Sequence, residues 1–219
     1  MQRSHTDCKY WTYGTHPDRA TGLPLRCLAL TTAALQNPSP PPDFNPFDTR
    51  QDHRFMFSNM APQMCTCIIG NYRGTESCPE LVDCPVGVDH DRNLGVPPAI
   101  VGIKMRAFEE QCNRIMFKFT EWLNSDAGRS TVLEDRIKKF AVEAAKLFES
   151  FLTIHPYMDG NGHCARLLLF RLATWAGFPP RNWDIDKEFP IYEEISLHRS
   201  AERRGPLMRQ LTQHILEVM

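Results

Sequence analysis

The segment from His155 to Arg166, HPYMDGNGHCAR, holds an imidazole, a carboxylate, a glycine-flanked asparagine and a guanidinium within a dozen positions. Pro156 pushes His155 out of the right-handed helical region, so a preceding helix ends there. Tyr157 and Met158 are apolar enough to pin the following loop to a core. Gly160, Asn161 and Gly162 allow unusual backbone angles and leave their amides uncovered. A glycine-rich turn that feeds a helix N-terminus aims several N–H groups at one point, where the macrodipole is also positive. Such a point holds an anion, and phosphate is its usual occupant. Asp159 at the edge of this cradle would repel a phosphate unless a divalent cation bridged the two. Magnesium accepts that mixture of carboxylate, phosphate oxygen and water. Arg166, about one turn inside the helix, can reach back over a longer phosphate chain. His155, with an ordinary pKa of about 6.5, can take a proton at neutral pH. Together these are the parts of nucleotidyl transfer. Singly, each has a commoner role: Asp159 as a helix-capping partner, His155 as a structural residue, Gly-Asn-Gly as a turn, Arg166 as a solvated charge. Their joint occurrence in one segment favours the chemical reading.

The elements that must position this segment are helical. Between Ala99 and Ile154 there is no proline. Ile103, Ala107, Phe108, Cys112, Ile115, Phe119 and Trp122 recur at gaps that make one apolar face, which predicts a helix over 99–124. Ile137, Phe140, Ala141, Ala144, Leu147, Phe148 and Phe151 predict another over 132–154, with Thr131 and Glu134 as its capping box. Gly162 to Ala176 predicts a third, ended by Gly177 and blocked by Pro179–Pro180. Residues 188–201 and 206–218 supply two more. The fold class is mainly α: a helical bundle large enough to bury its own interior.

The first part of the chain differs. Twelve of the seventeen prolines and six of the eight cysteines lie in residues 1–98. Leu23 to Leu35 reads as a short helix, and Pro38 to Pro46 as a stiff extended spacer. Residues 65–90 mix β-branched residues with Gly, Asn and Pro without a 3.6 period, which predicts a β-hairpin flap leaning on the bundle. The domain reading is an irregular N-terminal arm over 1–50 and a helical domain over 51–219.

Composition narrows the function. The net charge of −1 gives no global basic field for nucleic acid, and the local patch of Arg199, Arg203, Arg204 and Arg209 reads as solvated surface. No apolar run is long enough to span a bilayer, and the N-terminus lacks a secretory core. The eight cysteines show no framework spacing and read as free thiols in an intracellular chain, which places the protein in the cytoplasm, or in another cell after delivery without a classical signal peptide. Cys65, Cys67, Cys78 and Cys84 lack a paired zinc spacing and read as packing residues. Cys164 reads as a buried helix residue.

The segment at 155–166 resembles the signature of Fic (Fido) domains, His-x-Phe-x-Asp/Glu-Gly-Asn-Gly-Arg-x-x-Arg. It matches at His155, the aromatic at 157, Asp159, Gly160, Asn161, Gly162 and Arg166. IIGNYRG at 68–74 resembles the strand opening that family's flap. Pro97–Pro98 resembles the turn before its next helix, and AGFPP at 176–180 with Tyr192 the segments after its signature helix. The resemblance implies a transferase that moves AMP from ATP to a Ser, Thr or Tyr hydroxyl of a target protein. It implies His155 as general base, Asp159 as magnesium ligand, Gly160 to Gly162 as the anion hole, Arg166 on the distal phosphates and Tyr192 near the adenine. The 65–90 hairpin would pair with the target's main chain. An antitoxin or a second subunit would be a further partner for the arm. His163 stands where the commonest pattern has Arg, so its phosphate contact is weaker or the nucleotide differs. Two alternatives stay open: the same fold using another phosphate donor or removing the modification, and a catalytically weak binding module. The family's inhibitory helix carries Ser/Thr-x-x-x-Glu-Gly/Asn. The nearest string, STVLED at 130–135, lacks the final residue, so Glu134 is expected to cap a helix and not to inhibit.

Overall fold

A computed structural model describes residues 8, 11–38, 45, 47–84, 95–181, 183–187 and 201–219, with only the backbone course at 201–204. The helices are α1 (Gly22–Gln36), α2 (Arg50–Phe57), α3 (Pro79–Val82), α4 (Pro98–Asn124), α5 (Asp126–Ser130), α6 (Leu133–Ile154), α7 (Asn161–Trp175) and α8 (Ala201–Val218). α6 lies at the centre of the bundle, against α4, α7 and α8, while α1 packs on α7 and α2. The helices expected at 23–35, 99–124, 132–154 and 162–176 are all present. Residues 188–200 and Tyr192 lie outside the described residues. The last helix starts at Ala201 and carries Pro206 inside it.

α7 is buried on nearly every side, as a helix at the heart of a bundle must be. Its polar residues are therefore paired internally. Asn161 bonds to Tyr157, His163 to Asp186, Arg166 to the Ile185 carbonyl and Thr174 to the Phe170 carbonyl. Arg171 forms a bidentate pair with Asp52 that ties α7 to α2. α4 is rotated from the expected face. Val101, Met105, Phe108, Cys112 and Phe119 are buried, whereas Ile103 and Ala107 face outward.

Three expectations are overturned. First, no β-strand occurs among the described residues, so the flap expected at 65–90 is absent from the part described. Gln63–Ile68 is a 3-10 helix instead. Ile68 and Ile69 are both buried, which the alternating faces of an exposed hairpin would not allow. Gly70 and Gly74 are left-handed, and a Cβ on Gly74 would meet the Pro98 carbonyl oxygen, so the chain turns back where a strand would continue. The docking surface expected on that hairpin goes with it.

Second, the capping box does not form. The Thr131 hydroxyl donates to the Ala127 carbonyl at 2.7 Å, because the short α5 brings Thr131 back over it. Val132 is the N-cap, and the exposed Glu134 pairs with Lys138. Third, four cysteines are not free. Cys8 is bonded to Cys65 and Cys67 to Cys78, leaving Cys27, Cys84, Cys112 and Cys164 as buried thiols. Residues distant in sequence are brought together here, which spacing alone does not show. The compartment argument that rested on free thiols no longer holds. Among the described residues no helix is long and apolar enough to cross a membrane.

Candidate functional site

The loop 155–160 joins the C-terminus of α6 to the N-terminus of α7. His155 ends α6 in the left-handed region at φ 53 and ψ 62, and it is buried. Pro156 forbids another helical turn, and His155 takes the left-handed alternative in place of an extended one. Tyr157 is fully buried: its ring stacks on His53 with centroids 4.0 Å apart, and its hydroxyl meets Thr49 Oγ1 at 2.8 Å. The Asn161 amide closes the loop from below. Its Oδ1 accepts from the Tyr157 N–H at 2.8 Å, and its Nδ2 donates to the Tyr157 carbonyl at 2.9 Å. Gly160 is the N-cap of α7 at φ 78, and a Cβ there would strike the Phe57 ring. Side chains thus hold the loop by its Tyr157 backbone, and the opening amides of α7, which have no intrahelical acceptor, lie beyond it.

His53 supports the loop from α2. The Gly70 N–H donates to His53 Nδ1 at 3.0 Å, so Nε2 carries the proton and donates to the Asp159 carbonyl, also at 3.0 Å. Burial pushes the His53 pKa down to about 3, which keeps this bridge neutral.

The Asp159 carboxylate is engaged on both oxygens. Oδ1 accepts from the Gly160 N–H at 2.7 Å, and Oδ2 accepts from Thr12 Oγ1 at 2.7 Å and the Tyr13 N–H at 3.2 Å. The N-terminal arm therefore lies on the loop. Trp11 Nε1 donates to the Met60 carbonyl, and the Tyr13 ring sits against Phe57 and edge-on to His163.

His163 and Arg166 lie one turn apart on α7, both buried. His163 Nε2 meets Asp186 Oδ1 at 2.9 Å, and Arg19 grips both oxygens of the same carboxylate. Burial pushes the Asp186 carboxyl upward, but the bonds from His163 and Arg19 outweigh it and hold it below the usual carboxylate range. Burial also lowers the His163 pKa, with the Arg166 charge adding to that and Asp186 opposing it. We read His163 as neutral, donating its Nε2–H to an ionised Asp186. Arg166 Nε donates to the Ile185 carbonyl at 2.9 Å. A cavity of about 510 Å3 is lined by Ile185 together with Cys27, Thr31, Arg181 and Trp183 among others. Cys27, His163 and Asp186 have donor atoms within 4.8 Å of one another, but Arg19 already fills both oxygens of Asp186.

Of the residues singled out in the sequence, His155, Asp159, Gly160, Asn161, Gly162, His163 and Arg166 fall on one loop and the first turns of one helix. Asn161 acts on the loop through its side chain as well as its position. Sequence reasoning missed Thr12, Tyr13, His53, Phe57, Arg73 and Asp186. The i, i+4 pair His53 and Phe57 on one face of α2 carried a readable signal. Asp186 and Thr12 carried none, because their partners are far off in the chain.

A left-handed His155 at the end of α6 and a glycine-capped start of α7 bound this site. Residues 98–173 match the model of the Fic/DOC family. The chain is also similar to proteins named protein adenylyltransferase fic-1, from Caenorhabditis briggsae and from Caenorhabditis elegans, each 32% identical over 94 residues. That alignment covers 43% of this chain and 17% of each relative. A protein adenylyltransferase Fic from Drosophila grimshawi is 38% identical over 66 residues, covering 30% of this chain and 12% of the relative. The matched region thus spans about a sixth or less of the length of these relatives.

Proposed function

We propose that this chain transfers AMP from ATP to a Ser, Thr or Tyr hydroxyl of a target protein. The names of its relatives support protein adenylylation, and the observation that carries the reading is the loop closed by Asn161. That closure sets His155 at one end of a six-residue turn and the amide-bearing start of α7 at the other. The α7 amides and the positive end of its macrodipole bind the α- and β-phosphates. Arg166 holds the distal phosphates. His155 takes the proton of the incoming hydroxyl as its oxygen bonds to the α-phosphorus and the bond to pyrophosphate breaks. Little covalent help is needed, since orientation and charge stabilisation lower the barrier.

The residues present fit magnesium. Mg2+ is commonly bound through one or two carboxylates together with substrate phosphates, and the loop offers Asp159 beside the phosphate cradle. Bound there, it would supply charge neutralisation on the phosphate chain. Thr12 and Tyr13 donate to Oδ2 of that carboxylate, so a metal bound there would compete with the arm for it. His163, neutral and turned onto Asp186, adds no full charge to the phosphates, in contrast to the arginine usual at this position.

The test uses ATP labelled at either the α- or the γ-phosphate, with magnesium, and a lysate as acceptor. Protein-bound label from the α-phosphate alone is expected. Label from the γ-phosphate alone would replace this reading with phosphate transfer.

A further inference from the structure

Arg73 is a cation buried to 2% exposure, and its guanidinium is spent on carbonyl oxygens. Nε donates to the His155 carbonyl at 2.8 Å. Nη2 donates to Ile154 at 3.1 Å and to Val96 at 3.0 Å, and Nη1 donates to Cys84 at 3.1 Å. The Arg73 backbone N–H donates to the Pro156 carbonyl at 2.8 Å. One residue therefore holds three successive carbonyls, those of 154, 155 and 156. Burial lowers the Arg73 pKa to about 10, so the group stays charged at neutral pH.

Those three carbonyls bracket the joint where α6 turns left-handed. A non-glycine residue at φ 53 carries ~1–2 kcal/mol of strain and persists only where its surroundings fix it. Burying a charge is itself costly unless its hydrogen bonds are met. A fold that needed only to end a helix could do so with the glycine cap used after α7. Here the sequence spends a buried guanidinium on a histidine. Gly95 completes the joint: a Cβ there would lie 2.3 Å from Arg73 Nη2 and 3.1 Å from His155 Cβ.

We infer that Arg73 is the positioning residue for His155, fixing the left-handed backbone from which the general-base imidazole projects. The inference rests on the role proposed for His155 above. The Arg73 guanidinium is buried against backbone carbonyls, so its loss should act on turnover and not on nucleotide binding.

The test compares the wild-type chain with Arg73→Lys and Gly95→Ala. It measures kcat and nucleotide KM, thermal stability, and the NMR signal of the His155 ring, identified by its loss in His155→Ala. A lysine keeps the charge but cannot span three carbonyls. The expected result for Arg73→Lys is a folded protein, nucleotide KM within about 2-fold, kcat lowered about 10- to 100-fold and a displaced His155 ring signal. Wild-type kcat with an unmoved signal would overturn the inference. So would a rise in nucleotide KM as large as the fall in kcat, which would mark a general structural role. If Arg73→Lys does not fold, Gly95→Ala crowds the same joint and carries the same expectation and the same contrary result. If the wild-type chain transfers nothing, the functional reading falls, and the His155 signal alone decides the clamp: displaced in either variant supports it, unmoved overturns it.

Discussion

Thr12 Oγ1 donates to Asp159 Oδ2 at 2.7 Å, joining two residues 147 positions apart. The contact sets the N-terminal arm against the carboxylate proposed to hold magnesium. A hydrogen bond to a charged acceptor contributes ~1.5–3 kcal/mol when buried, and Thr12 is exposed, so solvent screening leaves a fraction of that. Thr12→Ala should therefore raise the affinity for magnesium and ATP by about 2- to 5-fold, read by calorimetric titration. Unchanged or weaker affinity would remove the competition between arm and metal.

Acid should destabilise the protein through His53. Its pKa is depressed to about 3 in the folded state, below the ordinary value of 6.5. The unfolded chain therefore takes up a proton that the folded chain refuses. Stability is full above about pH 6.5 and falls by ~1.4 kcal/mol per unit as pH drops toward 3. His163, also depressed by burial, adds in the same direction. Urea unfolding between pH 7 and pH 4 should show the decline, and His53→Gln should flatten it by close to one proton. An equal slope in the variant would contradict the neutral bridge to the Asp159 carbonyl.

Two glycines should respond oppositely to alanine. At Gly160 a Cβ meets the Phe57 ring, and the backbone is left-handed. Gly160→Ala should cost ~1–3 kcal/mol through strain and should impair the loop. Gly102, inside α4, has nothing within 4 Å of a new Cβ. Gly102→Ala should stabilise by ~0.5–1 kcal/mol. Thermal melts of the two variants check the contrast, and a shared sign would contradict it.

Much of this architecture is legible in the sequence, for identifiable reasons. α6 and α7 follow from long runs at helical spacing, and their ends from Pro156, Gly177 and Pro179. The loop follows because its residues are contiguous. What was hidden depends on contacts between distant positions. Asp186 looks like any loop carboxylate until Arg19 and His163 close on it. The stretch 63–84 misleads because its β-branched residues suit a strand, while Gly70, Gly74 and two disulfides fold it into turns. Thr131 is placed for a cap by sequence, yet α5 supplies a nearer acceptor.

Thiol counting checks the pairing. Denatured but unreduced protein should show four reactive thiols, and eight after reduction. Eight at the outset would contradict the Cys8–Cys65 and Cys67–Cys78 bonds, and with them the tether of the arm to the core.

The most direct measurement of the central claim is the AMP-transfer rate of His155→Ala beside its nucleotide affinity, in one preparation. Loss of a general base should lower the rate by ~100- to 10,000-fold while affinity stays within about 2-fold of wild type. A variant that transfers AMP at the wild-type rate would contradict the account.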